Sequence, residues 1–169
     1  MDDFEQRRKR ITDGAKSNPN AVAEMIVLAE EFPCEPDVWA DLAYVYARKD
    51  DYVSAVDALG RATALAPDEP IYLFNRARYN AALGEHRAVI ADASLGVEIS
   101  DRLKFFWYKE ALMFLRAHAL VALGDNKSAR DDLASIEDRD MRLWINGLVT
   151  WEDLARGCGM GTSAQKPHR

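Results

Sequence analysis

Apolar residues recur at intervals of three and four along most of the chain, the period of a helix that turns one face to a core. The clearest stripe is Trp39, Leu42 and Tyr46. After a polar break it is answered by a second, Ala55, Leu59 and Ala62. Small Ala43 lies in the first stripe, where a second helix can approach closely. Pro67, with no backbone N–H, closes the second. The spacing therefore predicts two helices joined by a turn over residues 36–69.

The same pattern recurs along the chain. Counting from Pro36 as position 1, the stripes occupy positions 4, 7, 8 and 11 and then 20, 24, 27 and 32. From Pro70, position 4 is Leu73 and position 8 is Ala77, with Leu83 and Gly84 at the turn. Three residues depart from the pattern there: Asn80 at 11, His86 at 17 and Gly96 at 27. From Glu110, Ala117, Leu120, Ala129, Leu133 and Ile136 fall at 8, 11, 20, 24 and 27, with Leu123-Gly124-Asp125 at the turn. Glu110 lies 40 residues after Pro70, so six extra residues sit within 100–109. We expect Asp101 to cap an elongated helix running to about Leu123, with Phe105, Phe106, Trp107 and Tyr108 distributed around it. Ahead of all this, Ala21, Met25, Leu28 and Pro33 keep the register of a second helix, whereas the helix before it is polar and carries Arg7-Arg8-Lys9-Arg10.

The match at positions 4, 7, 8, 11, 20, 24, 27 and 32 of residues 36–69 resembles the tetratricopeptide repeat, a helix–turn–helix unit of about 34 residues. The resemblance implies an all-α fold, a short right-handed α-solenoid of three to four hairpins. One hairpin cannot bury its own apolar face, so neighbours must stack on it. We expect a single domain over residues 1–156. Its repeats are a degenerate one at 2–35, then 36–69, 70–103 and 110–140, with a cap at 141–156. The polar first helix suits a terminal capping repeat, and its basic block reads either as solvated or as a contact patch for an acidic partner.

Residues 141–145 are short and apolar, and could form a helical turn or an extended piece lying on the last repeat. Thr150 and Asp153 have the spacing of a capping box ahead of a short helix stopped by Gly157. Trp144, Trp151 and Leu154 are expected to seal the open end. Residues 157–169, rich in Gly, Ser and Pro, are expected to be a disordered tail.

The formal charge of −6 argues against nucleic acid or an anionic membrane as partner, both of which call for a basic surface. No stretch of about 18 apolar residues is available to span a bilayer. Cys34 and Cys158 form no CxxC and have no histidine at metal spacing, which points to a reducing, cytoplasmic setting without metal or other cofactor. His86, His118 and His168 have no nucleophile or carboxylate at a spacing that forces catalytic geometry. No P-loop, GxGxxG, HExxH or calcium loop occurs. An enzyme is not expected.

By resemblance, the first helix of each repeat lines a concave groove that takes a peptide or protein partner. This implicates Asp41, Tyr44 and Arg48, then Phe74, Asn75 and Arg78, then Phe114 and His118. The alternative for Phe74 and Phe114 is packing against adjacent helices. Chaperone-binding members of the family grip a C-terminal carboxylate with two lysines, two asparagines and an arginine. Asn75 matches one of those positions, but Ala40, Tyr44, Ala111 and Leu115 occupy the others, so a clamp of that type is excluded. The expected function is a protein-binding scaffold, chaperone-like in the manner of small bacterial secretion chaperones or a partner of a toxin. The alternative is a homodimeric scaffold joined through Phe105, Phe106, Trp107 and Tyr108, because a large exposed apolar patch requires an explanation.

Overall fold

A computed structural model describes residues 3–161. Among the described residues it contains nine helices and one small hairpin. The helices are α1 (Asp3–Asp13), α2 (Ala21–Glu31), α3 (Pro36–Ala47), α4 (Tyr52–Leu65), α5 (Pro70–Leu83), α6 (His86–Leu103), α7 (Lys109–Leu123), α8 (Asn126–Ser135) and α9 (Trp151–Gly157). Each helix up to α8 packs on the next in sequence, and α1 on α3 and α5 on α7 also touch. No helix among the described residues is long and apolar enough to cross a membrane.

Local chemistry sets the boundaries. Pro36 and Pro70 open α3 and α5, where a missing N–H costs no hydrogen bond. The carboxylates of Asp51 and Asp125 cap α4 and α8 by accepting from Ser54 N and Ser128 N, each at 3.1 Å. Gly84 and Gly124 end α5 and α7 in the left-handed region, at φ 78° and 81°. The capping box of α9 forms as its spacing predicted: Asp153 N donates to Thr150 Oγ1 and Thr150 N donates to Asp153 Oδ2, both at 3.1 Å.

Among the described residues, the core lies between successive helices in three clusters. Met25, Leu28, Val38, Leu42, Val45 and Leu59 fill its N-terminal part, and Phe114, Leu120, Leu133, Ile136 and Leu154 its C-terminal part. Gly96 is small for a packing reason. A Cβ there would lie 2.7 Å from Leu112 Cδ1, so the side chain missing from α6 is the space that Leu112 of α7 fills.

Two arginine–aspartate pairs repeat between successive helices. Arg76 donates to both carboxylate oxygens of Asp92, at 2.9 and 2.6 Å, and Arg116 does the same to Asp132, at 2.8 and 2.5 Å. Both pairs span 16 residues and occupy positions 7 and 23 of their hairpins. The hairpin of residues 36–69 has buried Leu42 and Ala58 at those positions.

Several expectations change in the structure. The insertion lengthens α6, which runs to Leu103, and adds to the loop 104–108, instead of lengthening the helix after it; Asp101 lies inside α6 and pairs with Lys109 instead of capping. Ser100 Oγ donates to Gly96 O at 2.7 Å within the helix, and Lys104, at φ 51°, ends it. The aromatic run 105–108 is therefore a loop with no helix to encircle. Of the two readings of residues 141–145 the extended one holds, with Met141 and Leu143 against the last repeat; the hairpin was not expected, β1 (Arg142–Trp144) pairing with β2 (Leu148–Thr150) so that Leu143 lies opposite Val149. Its turn places Asn146 at φ 50° and Gly147 at φ 151°. Trp144 seals nothing, being 73% exposed, whereas Trp151 Nε1 donates to Leu133 O at 3.2 Å and its ring lies under Arg139. Cys158, expected in the tail, is buried, and its carbonyl accepts from Arg130 at 2.6 Å. Residues 162–169 of that tail, with His168, lie outside the described residues.

Candidate functional site

The hairpin brings four elements together. Ile145 at its tip is buried among Ala77 and Ala81 of α5 and Leu115 and Ala119 of α7. Asn146 Nδ2 donates to Ala82 O at 2.5 Å, fixing the turn to the end of α5. A cleft of about 250 Å³ opens beside this tip. Its walls are Tyr44 from α3, Arg48 directly after it, Tyr52 from α4, Arg78 and Tyr79 from α5, and Trp144 and Asn146 from the hairpin.

The cleft is aromatic and cationic. The Tyr52 and Tyr79 rings lie 5.9 Å apart. The Arg78 guanidinium lies 5.1 Å from the Tyr79 ring and 5.8 Å from that of Phe74, and Nη2 donates to the Tyr79 hydroxyl at 3.2 Å. Phe74 itself is backed by Tyr108, with ring centroids 5.5 Å apart. Neither Arg48 nor Arg78 has a carboxylate within ion-pair distance among the described residues. No lining residue pairs a nucleophile with a base, so the chemistry on offer is recognition of acceptor groups between flat rings.

The basic block of α1 contrasts with these two arginines. Arg7 pairs with Glu31 at 2.6 Å, Arg8 with Asp41 at 2.8 Å and Arg10 with Glu24 at 3.3 Å. The block is thus largely neutralised by carboxylates of α2 and α3. Asp41 is accordingly occupied. Burial pushes its carboxyl above the usual range, and the Arg8 contact opposes that shift. Neighbouring Asp37 accepts from the Tyr72 hydroxyl at 2.5 Å, and burial together with this carboxylate raises the phenol.

Of the eight residues expected to bind a partner, Tyr44, Arg48 and Arg78 meet in the cleft, with Phe74 beneath Arg78. Asn75 is half-buried on α5 and does not line it. Phe114 is 0% exposed in the core and offers no surface, so for it the packing alternative holds. His118 faces His86, with ring centroids 6.1 Å apart, and Nδ1 of each ring is buried without a hydrogen-bond partner. Tyr52, Tyr79, Trp144 and Asn146 were not expected to bind: Tyr79 is at position 10 of a first helix, outside the groove positions, and the other three lie outside first helices. Among the described residues, no group of three or more His, Cys, Asp or Glu is placed to hold a metal.

The histidine pair has a consequence for stability. Burial, and then the charge of His86, holds the His118 pKa below its ordinary value. Above the unfolded pKa of about 6.5 both folded and unfolded chains keep this ring neutral. Below it the unfolded chain takes up a proton that the folded one resists, so stability is lost as pH falls from there towards the lower folded pKa. Urea midpoints should therefore fall between pH 7 and pH 5, and His118→Phe should flatten that slope. An unchanged slope in the variant would assign it to other groups.

Among curated proteins, the chain is similar to a heat-shock protein cognate (HSC) co-chaperone, sgt12, of Aspergillus fumigatus. The two are 33% identical over 85 residues, which is 50% of this chain and 23% of that protein. The chain thus spans about a quarter of the length of the curated relative it matches. No family model matches the sequence.

Proposed function

We propose that the chain is a non-enzymatic protein-binding module, a tetratricopeptide-like α-solenoid whose partner is held at the cleft between α3, α5 and the hairpin tip. The observation that carries this reading is the pair Arg48 and Arg78. They are cations left without a carboxylate beside exposed Tyr44 and Trp144, in a protein that neutralises most of its α1 basic block internally. Arginine and aromatic anchors of this kind, covered when a partner docks, carry most of the energy in protein interfaces. The similarity to a co-chaperone supports an interaction role. The positions that would form a carboxylate-tail clamp hold Ala40, Tyr44, Ala111 and Leu115 instead, so the partner is read through the cleft and not through such a clamp.

Capture from the source cell should yield one stoichiometric partner with the intact chain and lose it with Arg48→Glu/Arg78→Glu. A heat-shock cognate chaperone is the first purified protein to titrate. Neither arginine is buried, so helicity and thermal midpoint should hold in the variant. A partner retained equally by the double variant would overturn this placement of the site.

A further inference from the structure

The loop between α6 and α7 carries the most exposed large apolar side chain among the described residues, Trp107 at 81%, with Leu103, Phe105 and Phe106 exposed beside it. It projects from Lys104, a non-glycine residue held at φ 51°, where glycine is the ordinary occupant. Next to the loop is a cleft of about 540 Å³, walled by the aromatics together with Ala111, Met141, Lys104 and Glu110. One patch therefore holds both a projecting indole and a hollow with room for one.

The charges on the patch are matched in the same way. Arg102 is paired with Asp68, and Lys109 with Asp101. Lys104 has no carboxylate within ion-pair distance among the described residues, and Glu110 has no cation. Glu110 is held in place by accepting from the backbone N–H groups of Glu137 and Asp138, at 2.9 and 3.4 Å. One unpaired cation and one unpaired anion are thus left over on a surface that also carries a knob and a hole.

We infer that this patch is a two-fold interface with a second copy of the chain, in which Trp107 of each protomer fills the other's cleft. A two-fold axis presents the same patch to itself, so a stable surface must carry both halves of every contact. This one does, for the indole and its hollow and for Lys104 and Glu110. A lipid surface fits less well. It would bury the fixed Glu110 carboxylate, and only Lys104 among the three flanking bases is free to meet anionic headgroups. The residues that wall this patch include none of those lining the proposed partner cleft, so the inference does not rest on that reading.

Sedimentation velocity of the intact chain, from about 1 to about 200 µM, tests it. Wild type should move reversibly from the 19.0 kDa monomer to twice that mass. Trp107→Ala should weaken dimerisation about 30-fold or more, as for a central aromatic anchor. Ala111→Arg, which blocks the hollow, should do likewise, and circular dichroism should show both variants folded. Mixing the two variants should give a weak heterodimer, since the tryptophan of one can still enter the open cleft of the other. A monomer at every concentration would overturn the inference, as would variants that dimerise like wild type. So would a monomeric chain that binds phosphatidylcholine–phosphatidylserine vesicles through Trp107.

Discussion

Replacing Asp132 by alanine is expected to cost about 2–4 kcal/mol of stability, and adding Arg116→Leu to that variant is expected to return most of it. The Asp132 carboxylate is 8% exposed and accepts both arms of the Arg116 guanidinium, which also donates to Ser94 Oγ at 3.1 Å. The pairing with Asp132, against the cost of burial, holds the Arg116 pKa above its ordinary value, so no neutral form can relieve the loss of the partner. Removing one member of such a pair leaves a half-buried charge with nothing opposite it. The arginine's residual exposure of 22% lets it reach some water, which keeps the cost below that of a fully enclosed ion. Removing both members leaves no charge to compensate. The chain contains its own control, because Leu42 and Ala58 occupy these two positions in the hairpin of residues 36–69 and are buried without strain on the register. Arg116→Leu/Asp132→Ala should therefore lie within about 1 kcal/mol of wild type in urea unfolding. The equivalent cycle at Arg76 and Asp92 should have the same sign. Additive single losses, with no recovery in the double variant, would show that each side chain acts through separate contacts.

That pairing also marks where the sequence stops being readable. The helix stripes were legible because burial on one face enforces a three- and four-residue spacing, and the capping box because it needs only local residues. Arg76 at position 7 carries no local sign of what it meets. Only the return of the chain in α6, sixteen residues on, shows that a carboxylate meets it. The end of α6 was missed for a related reason. A helix stop is normally advertised by glycine, and here Lys104 takes the left-handed turn, so the extra residues were assigned to the wrong helix. The hairpin did have a signal: Asn146-Gly147 lies between the β-prone runs Arg-Leu-Trp and Leu-Val-Thr. The apolar run 141–145 before it fits a helical turn as well as a strand, so it does not by itself mark the turn. Half of the cleft was missed with the hairpin, since Trp144 and Asn146 reach it only through chain reversal. Tyr44, Arg48 and Arg78 could be read from helix position alone, whereas Phe114 shows that an aromatic at a groove position can equally belong to the core.

Ile145→Asp is expected to detach the hairpin and to abolish the proposed partner binding together, while Trp144→Ala should affect binding alone. Ile145 is the anchor of β1 and β2. It is buried against four small or branched side chains of α5 and α7, and a carboxylate has no polar partner among them. The loss should be about 2–4 kcal/mol, limited by the free energy of undocking the hairpin, because α1 to α8 keep their own seams. Amide exchange would show this as lost protection confined mainly to residues 142–150, with the helices still protected. Trp144, exposed on the hairpin's other side, contributes a wall of the cleft and little to the core, so its truncation should leave the urea midpoint within about 0.5 kcal/mol of wild type. The two variants separate two roles for the hairpin. If it builds the site, freeing it removes Trp144 and Asn146 from beside Arg78, and affinity falls in both variants. If it instead covers a groove that the partner must enter, Ile145→Asp uncovers Ala77, Ala81, Leu115 and Ala119 and affinity rises. The cleft geometry favours the first outcome, because Asn146 is tied to Ala82 O while Trp144 stays open to solvent at the mouth, an arrangement suited to receiving a ligand beside the hairpin and not beneath it.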